Sequence, residues 1–196
     1  MILNDKTLVL ASSSRYRREL LARLGLAFEA TSPDIDETAL PGEPPERTSA
    51  RLAREKAKAV AARFPRSLVI GSDQVATLDG VELGKPGTHE RATRQLRAMS
   101  GRSVVFHTAL CVLDSDSGRL GEVVVPYTVQ FRCLSDAAIE RYLAAEQPYD
   151  CAGSAKTEGL GISLLEWMRG DDPTALIGLP LIALTGLLAA EGIVVP

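Results

Sequence analysis

The sequence predicts an α/β protein: a mixed, twisted sheet flanked by helices. Two observations carry this. Short apolar runs bounded by turn residues, Thr7-Leu8-Val9-Leu10-Ala11 and Leu68-Val69-Ile70, intermix with amphipathic stretches of helical period. The pair Asp79-Gly80 between Val75 to Leu78 and Val81 to Leu83 is a strong hairpin signal.

In chain order, Thr7 to Ala11 reads as a buried strand. It ends in Ser12 to Ser14, which can cap a helix carrying Leu20, Leu21 and Leu24 on one face and stopped by Gly25. A proline-rich loop follows through Pro41 to Pro45, then a second helix from about Pro45 to Phe64. The strand Leu68 to Ile70 runs into Gly71-Ser72-Asp73, and the hairpin follows. Thr88 to Ser100 is a helix with Ala92, Leu96 and Met99 inward, stopped by Gly101. Val104 to Leu113 and Glu122 to Phe131 are long strands joined through Asp114 to Gly118. Ser135 caps a helix to Glu146, Pro148 to Ser163 is irregular, and the apolar stretch Leu176 to Val195 is expected to be a buried terminal helix. With no repeat or evident linker, residues 1–196 are expected to form one domain.

The 196 residues are 45% hydrophobic and 24% charged, with a formal net charge of -3. That balance disfavours a nucleic-acid polymer as partner while allowing a local basic pocket for a small phosphate ligand. Cys111, Cys133 and Cys151 are far apart and odd in number, which points to reduced thiols rather than a disulfide framework or zinc site. Met1 leads into a strand-like run without a basic start and apolar signal core. The one long apolar stretch is interrupted by Gly178, Pro180, Gly186 and Glu191, so no membrane span is expected. A cytoplasmic location follows as the expectation.

The chemistry is signalled by polar residues whose helical phase points to the core. Arg17 shares a face with Leu20, Leu21 and Leu24, beside three serines and a helix N-terminus, a setting suited to phosphate; Arg15 and Arg18 lie off that face. Lys56 shares a face with Leu52, Ala53, Ala59 and Val60, either as a functional cation or as a snorkelling stem; Arg54 and Lys58 have outward phases. Asp73, just past an apolar strand, is a candidate base or metal ligand. A two-residue Asp79-Gly80 turn would pair Leu78 with Val81 and Gln74 with Lys85, bringing Lys85 beside Asp73. Asp34, Asp36 and Glu37 could supply carboxylate oxygens to a hard cation such as Mg²⁺, or form a solvated acidic loop. His89 and His107 are isolated and are assigned nothing. Neither GxxxxGK nor GxGxxG occurs.

Leu10-Ala11-Ser12-Ser13-Ser14-Arg15-Tyr16-Arg17-Arg18-Glu19-Leu20-Leu21 resembles the N-terminal motif of the Maf family of nucleotide pyrophosphatases. Asp34-Ile35-Asp36-Glu37, Leu52-Ala53-Arg54-Glu55-Lys56-Ala57, Gly71-Ser72-Asp73-Gln74-Val75, Gly84-Lys85-Pro86 and Gly178-Leu179-Pro180-Leu181 agree in order. The resemblance implies two lobes around a deep cleft, often a homodimer, and hydrolysis between the α- and β-phosphates with a divalent cation, Mg²⁺ or Mn²⁺. By position, Asp73 resembles the family's general base and, with Glu37, its metal-handling residues, while Ser12, Arg17, Lys56 and Lys85 resemble its phosphate-binding ones. The commoner Maf pattern has proline at the Arg15 position, arginine at the Tyr16 position, and Gly-Ala-Asp-Thr in place of Gly71-Ser72-Asp73-Gln74. These departures, with Cys151-Ala152-Gly153-Ser154-Ala155-Lys156-Thr157-Glu158-Gly159, resemble the subgroup that hydrolyses 7-methyl-GTP, and make Tyr16, Gln74 and Glu158 the candidate specificity residues. Two rivals stand beside this reading: a pyrophosphatase for dTTP, UTP or other non-methylated nucleotides, and a nucleotide-binding regulator of cell division.

Overall fold

The computed structural model describes residues 6–195. The expectation drawn at Met1 lies outside them. Fifteen elements follow in order among the described residues: β1 (Thr7–Ala11), α1 (Arg15–Ala22), β2 (Glu29–Thr31), α2 (Pro45–Ala61), β3 (Ser67–Leu78), β4 (Val81–Leu83), α3 (His89–Met99), β5 (Ser103–Asp114), β6 (Leu120–Phe131), α4 (Asp136–Glu146), two 3-10 turns (Ala152–Ser154 and Leu160–Leu164), β7 (Leu165–Arg169), α5 (Pro173–Ile177) and α6 (Leu181–Ala190). The strands form one mixed sheet in the order β2-β1-β3-β5-β6-β7, with β4 paired to β3. β1 runs parallel to β2 and β3; the other pairings are antiparallel.

Period-two alternation places the layers. Leu8, Leu10, Leu68, Ile70, Leu110 and Val112 pack on one face with Leu20 and Leu21 of α1 and Leu184 and Leu188 of α6. Val9, Val69, Ala109 and Cys111 face the other way, onto Ala53, Ala57 and Val60 of α2. Farther along β3, Ala76 and Leu78 join a third cluster with Leu96, Met99, Phe106, Phe131 and Leu143. Ser72, Asp73 and Gln74 fall between these apolar stretches.

Two expectations about strands change here. β3 is continuous for 12 residues, so Asp73 does not follow a strand end. Parallel pairing with β1 stops at Leu10↔Ile70, and β3 then carries on as half of the hairpin. Asp73 therefore lies beyond the carboxyl end of its parallel neighbour. The turn at Asp79-Gly80 pairs Leu78 with Val81 as expected, but the ladder ends at Ala76↔Leu83, and Gln74 pairs with Thr108 instead. β2 and β7 carried no sequence signal, being short edge strands with mixed or exposed side chains.

The C-terminal stretch is two helices rather than one. Gly178, at φ 117, caps α5 in the left-handed region, and Pro180 precedes α6. Only Leu184 and Leu188 of α6 are buried, and Ile182 is 63% exposed, so this helix packs on one stripe. No helix among the described residues is long and apolar enough to cross a membrane. The three cysteines are free thiols, and burial pushes Cys111 up to about 12.

Candidate active site

A cleft of about 560 Å³ opens where the apolar clusters part. Ser12, Tyr16, Arg17, Glu37, Lys56, Asp73, Gln74, Lys85 and Glu158 all line it.

Both faces of β3 feed this cleft, and glycine makes one approach possible. Gly71 lies against α2, where a Cβ would stand 2.1 Å from the Ala53 carbonyl oxygen. No side chain larger than hydrogen fits there unless α2 moves. With Ala57 also small, α2 settles onto β3 and delivers Lys56, one turn on from Ala53, to Asp73 on the same face two residues past Gly71. The Lys56 ammonium donates to Asp73 Oδ1 at 2.6 Å and to Glu37 Oε2 at 2.7 Å. Lys56 is 4% exposed and Asp73 6%, so this pair is buried. The snorkelling alternative for Lys56 is thereby removed. Ala57 takes the inward position expected of Ala59.

The expected partner of Asp73 was Lys85, and this is corrected. Because the hairpin ladder stops at Leu83, Lys85 leaves the sheet and lies exposed on the cleft wall, without an ion pair among the described residues. Of the acidic cluster only Glu37 reaches the cleft. Asp34 accepts from the Ser32 hydroxyl at 2.8 Å, and Asp36 caps Thr38 with a backbone contact of 2.9 Å.

On the opposite face of β3, side chains meet the end of α5. Ser72 donates to the Gly178 carbonyl at 2.9 Å, and Arg17 Nε donates to the same oxygen at 2.8 Å. With Nε committed, the two terminal nitrogens of Arg17 make no hydrogen bond among the described residues and remain for a ligand. Burial pushes the guanidinium below its ordinary value, opposed by the nearby Asp73 and Glu37 carboxylates. Ser14 is the helix cap, accepting from the Arg17 amide at 3.4 Å, and Ser12 in turn accepts from the Ser14 amide at 3.1 Å. Gln74 donates from Nε2 to Thr108 Oγ1, the Ala175 carbonyl and the Leu176 carbonyl, at 2.9, 2.9 and 3.1 Å. Two of these partners are carbonyls that only accept, which fixes the amide with its nitrogen inward.

Arg15 lies off the apolar face of α1, exposed as expected, and borders the cleft. Its guanidinium sits 4.7 Å from the centre of the Tyr16 ring and donates to Tyr16 Oη at 2.7 Å, and both residues line the cleft. Burial is the chief cause raising the Tyr16 phenol above its ordinary value.

The family described as Maf-like protein matches residues 7–191. The chain belongs to that family. Curated relatives agree over nearly the full length. One from Methylobacillus flagellatus is 62% identical over 186 residues, covering 95% of this chain and 97% of its own. One from Nitrosococcus oceani is 60% identical, covering 95% and 94%, and one from Paraburkholderia xenovorans is 62% identical, covering 94% and 92%. All three relatives carry the name 7-methyl-GTP pyrophosphatase.

In this Maf-like protein, sequence reasoning missed residues that support the lining ones. Ser72, Thr108 and the α5 carbonyls anchor Arg17 and Gln74. Their only signal was polar residues inside otherwise apolar strands, at Ser72 and Thr108. Arg51 was also missed: it forks onto Glu43 at 2.8 and 2.9 Å and donates to the Thr38 carbonyl at 3.1 Å, tying the loop after Glu37 to α2. Its helical phase gave no hint, since the partner lies in an irregular loop.

Proposed function

We propose that this protein hydrolyses 7-methyl-GTP between its α- and β-phosphates, releasing the nucleoside monophosphate and pyrophosphate, as a cytoplasmic enzyme of free nucleotides. The observation that carries the reading is the buried Asp73–Lys56 pair, touched by Glu37, in one cleft with Arg17 and with Tyr16, Gln74 and Glu158. The names of relatives at about 60% identity support the substrate.

Asp73 Oδ1 is held by Lys56, while Oδ2 accepts no hydrogen bond among the described residues. That free oxygen takes the proton of a water whose oxygen attacks the α-phosphorus. The bond from the α-phosphorus to the bridging oxygen breaks, and pyrophosphate leaves. Lys56, Lys85 and the free nitrogens of Arg17 neutralise charge building on the phosphate oxygens. Ser12, buried at the start of the serine run, completes the phosphate-binding set at the N-terminus of α1.

A divalent cation, Mg²⁺ or Mn²⁺, fits the donors present. Glu37 and Asp73 converge within 2.7 Å of one ammonium nitrogen, and a hard cation of this kind is held by one or two carboxylates with waters and substrate phosphates. When bound it supplies further charge neutralisation at the phosphates.

For the base, methylation at N7 gives guanine a positive charge. Tyr16 offers an aromatic face and Glu158 an exposed carboxylate for the ring N–H donors. Arg15 covers one Tyr16 face, so the base takes the other. The pinned Gln74 presents its amide oxygen.

The test is turnover of 7-methyl-GTP, GTP, dTTP and UTP by the purified protein with Mg²⁺ or Mn²⁺, products separated by chromatography. The expected kcat/KM for 7-methyl-GTP exceeds that for GTP at least about tenfold, equivalent to 1.4 kcal/mol. Preference for dTTP or UTP transfers the protein to the non-methylated rival. Tight binding with no turnover of any nucleotide transfers it to the regulator.

A further inference from the structure

The segment bearing Glu158 has no regular structure of its own, yet it is fastened at both ends by one helix. Glu146, the last residue of α4, accepts from Lys156 Nζ on Oε1 at 2.8 Å and from the Leu160 backbone amide on Oε2 at 2.7 Å. Tyr142, one helical turn earlier, accepts from the Lys156 amide at 3.0 Å. Inside the segment, the Lys156 carbonyl receives the Gly159 and Gly161 amides at 3.1 and 2.9 Å. Gly161 is sterically required, whereas a side chain at Gly159 would displace the Glu146 carboxylate. A Cβ at Gly159 would stand 2.6 Å from Glu146 Oε2, and one at Gly161 would stand 2.5 Å from the Lys156 carbonyl oxygen. Glu158 sits between the two fastened points, exposed, and its carboxylate makes no hydrogen bond among the described residues. The scaffold is satisfied, and the group it carries is left free for a ligand.

We infer that Glu146, helped by Tyr142, is a positioning residue for base recognition: it holds Glu158 where the methylated guanine ring meets it, without touching substrate itself. This rests on the base reading of Glu158 proposed above. The physical reason is preorganisation. A carboxylate on a loose segment must be ordered when the base binds, and that cost falls hardest on the ligand that depends on the carboxylate most, the cationic base. The Glu146 side chain is only 11% exposed, so its bonds are poorly screened. The Lys156 ammonium, then the Leu160 amide, holds its carboxyl below the ordinary carboxylate range, as a carboxylate serving two donors requires.

The experiment compares kcat/KM for 7-methyl-GTP with that for GTP in the parent, E146Q, G159A, E158Q and the double variant E146Q/E158Q, with melting temperatures alongside. E146Q keeps the shape but loses the charge, and G159A pushes the segment off Glu146 from the other side. E158Q is expected to cut the ratio about tenfold, and E146Q and G159A about fivefold each, mainly through KM for the methylated nucleotide. The double variant should fall within about twofold of E158Q, because a misplaced side chain cannot be lost twice. General loosening of the fold lowers both substrates together and leaves the ratio alone, so a lowered melting temperature with a parental ratio overturns the inference. So do ratios within about twofold of the parent in both E146Q and G159A while E158Q collapses; the base reading then survives. A parental ratio in E158Q removes the base reading and the inference with it. If E146Q does not accumulate folded, G159A and K156M carry the same comparison.

Discussion

Replacing Lys56 with methionine removes one half of a buried pair and leaves the other. Lys56 and Asp73 side chains are 5% and 8% exposed with a 2.6 Å contact, whereas Glu37 is 55% exposed. The Glu37 contact is screened by water and contributes under about 1 kcal/mol. The Asp73 contact is different, because K56M leaves a buried carboxylate without the one counter-charge in contact with it among the described residues, with only the more distant Arg17 remaining. Breaking a buried pair from one side costs about 3–5 kcal/mol, and the lower end applies because Asp73 borders an open cleft. For a chain of 196 residues, about 3 kcal/mol corresponds to a fall in melting temperature of roughly 6–12 °C. The double variant K56M/D73N removes the stranded charge and should recover about half of that loss. The assay is thermal unfolding at neutral pH, with pyrophosphate release measured in parallel. Both variants should lose activity, so stability and chemistry separate. If K56M melts within about 2 °C of the parent, or the double variant melts no higher than K56M, the buried-pair reasoning fails.

Other expectations follow from the same geometry. D73N should fold and lose about 10²–10⁴-fold in kcat at saturating metal, and activity within about threefold of the parent removes Asp73 from the role of base. R17A should lower kcat/KM at least about tenfold more than R18A, since Arg17 lines the cleft and Arg18 is exposed outside it; equal losses would mean bulk basicity is responsible. The Arg51 hydrogen bonds hold Glu43 down from 4.5 to about 2 in the fold. A depressed carboxyl stabilises fully above its unfolded value and loses that effect as pH falls from 4.5 toward 2. The melting temperature of the parent should therefore exceed that of E43Q at pH 6 and converge on it toward pH 2.5; a gap constant with pH sinks this assignment.

What the sequence disclosed and what it hid divide along a physical line. Local rules located the strands β1, β5 and β6, the two ends of β3, the hairpin turn, and the caps within Ser12 to Ser14 and at Ser135, because each is decided by neighbours a few residues apart. Helical phase marked Arg17 and Lys56 as inward, while leaving Lys56 open to a snorkelling stem. Partner identity was beyond those rules. Extending the hairpin arithmetic brought Lys85 beside Asp73, but the ladder length is set by where the chain leaves the sheet, and it leaves at Leu83. The true partner, Lys56, arrives from a helix 17 residues away, and what admits it is the missing side chain at Gly71.

Gly71 links the fold to the chemistry of the cleft. A strand through the core must be apolar on the face that meets a helix, and β3 obeys this at Val69. Two residues on, Gly71 gives up packing area so that the backbone of α2 can approach, and two more on, the same face carries a buried carboxylate. The face thus passes from core to site within four residues of strand, and the helix that seals the core at Ala53 and Ala57 supplies the ammonium in the turn between them. On the other face Ser72 and Gln74 tie down the end of α5, and with it the carbonyl that orients Arg17. One uninterrupted strand therefore fixes the separation of Asp73 from Arg17 through rigid hydrogen bonds rather than through loops. This is the condition that the proposed roles, a base and a phosphate-binding cation aimed at one phosphorus, would require.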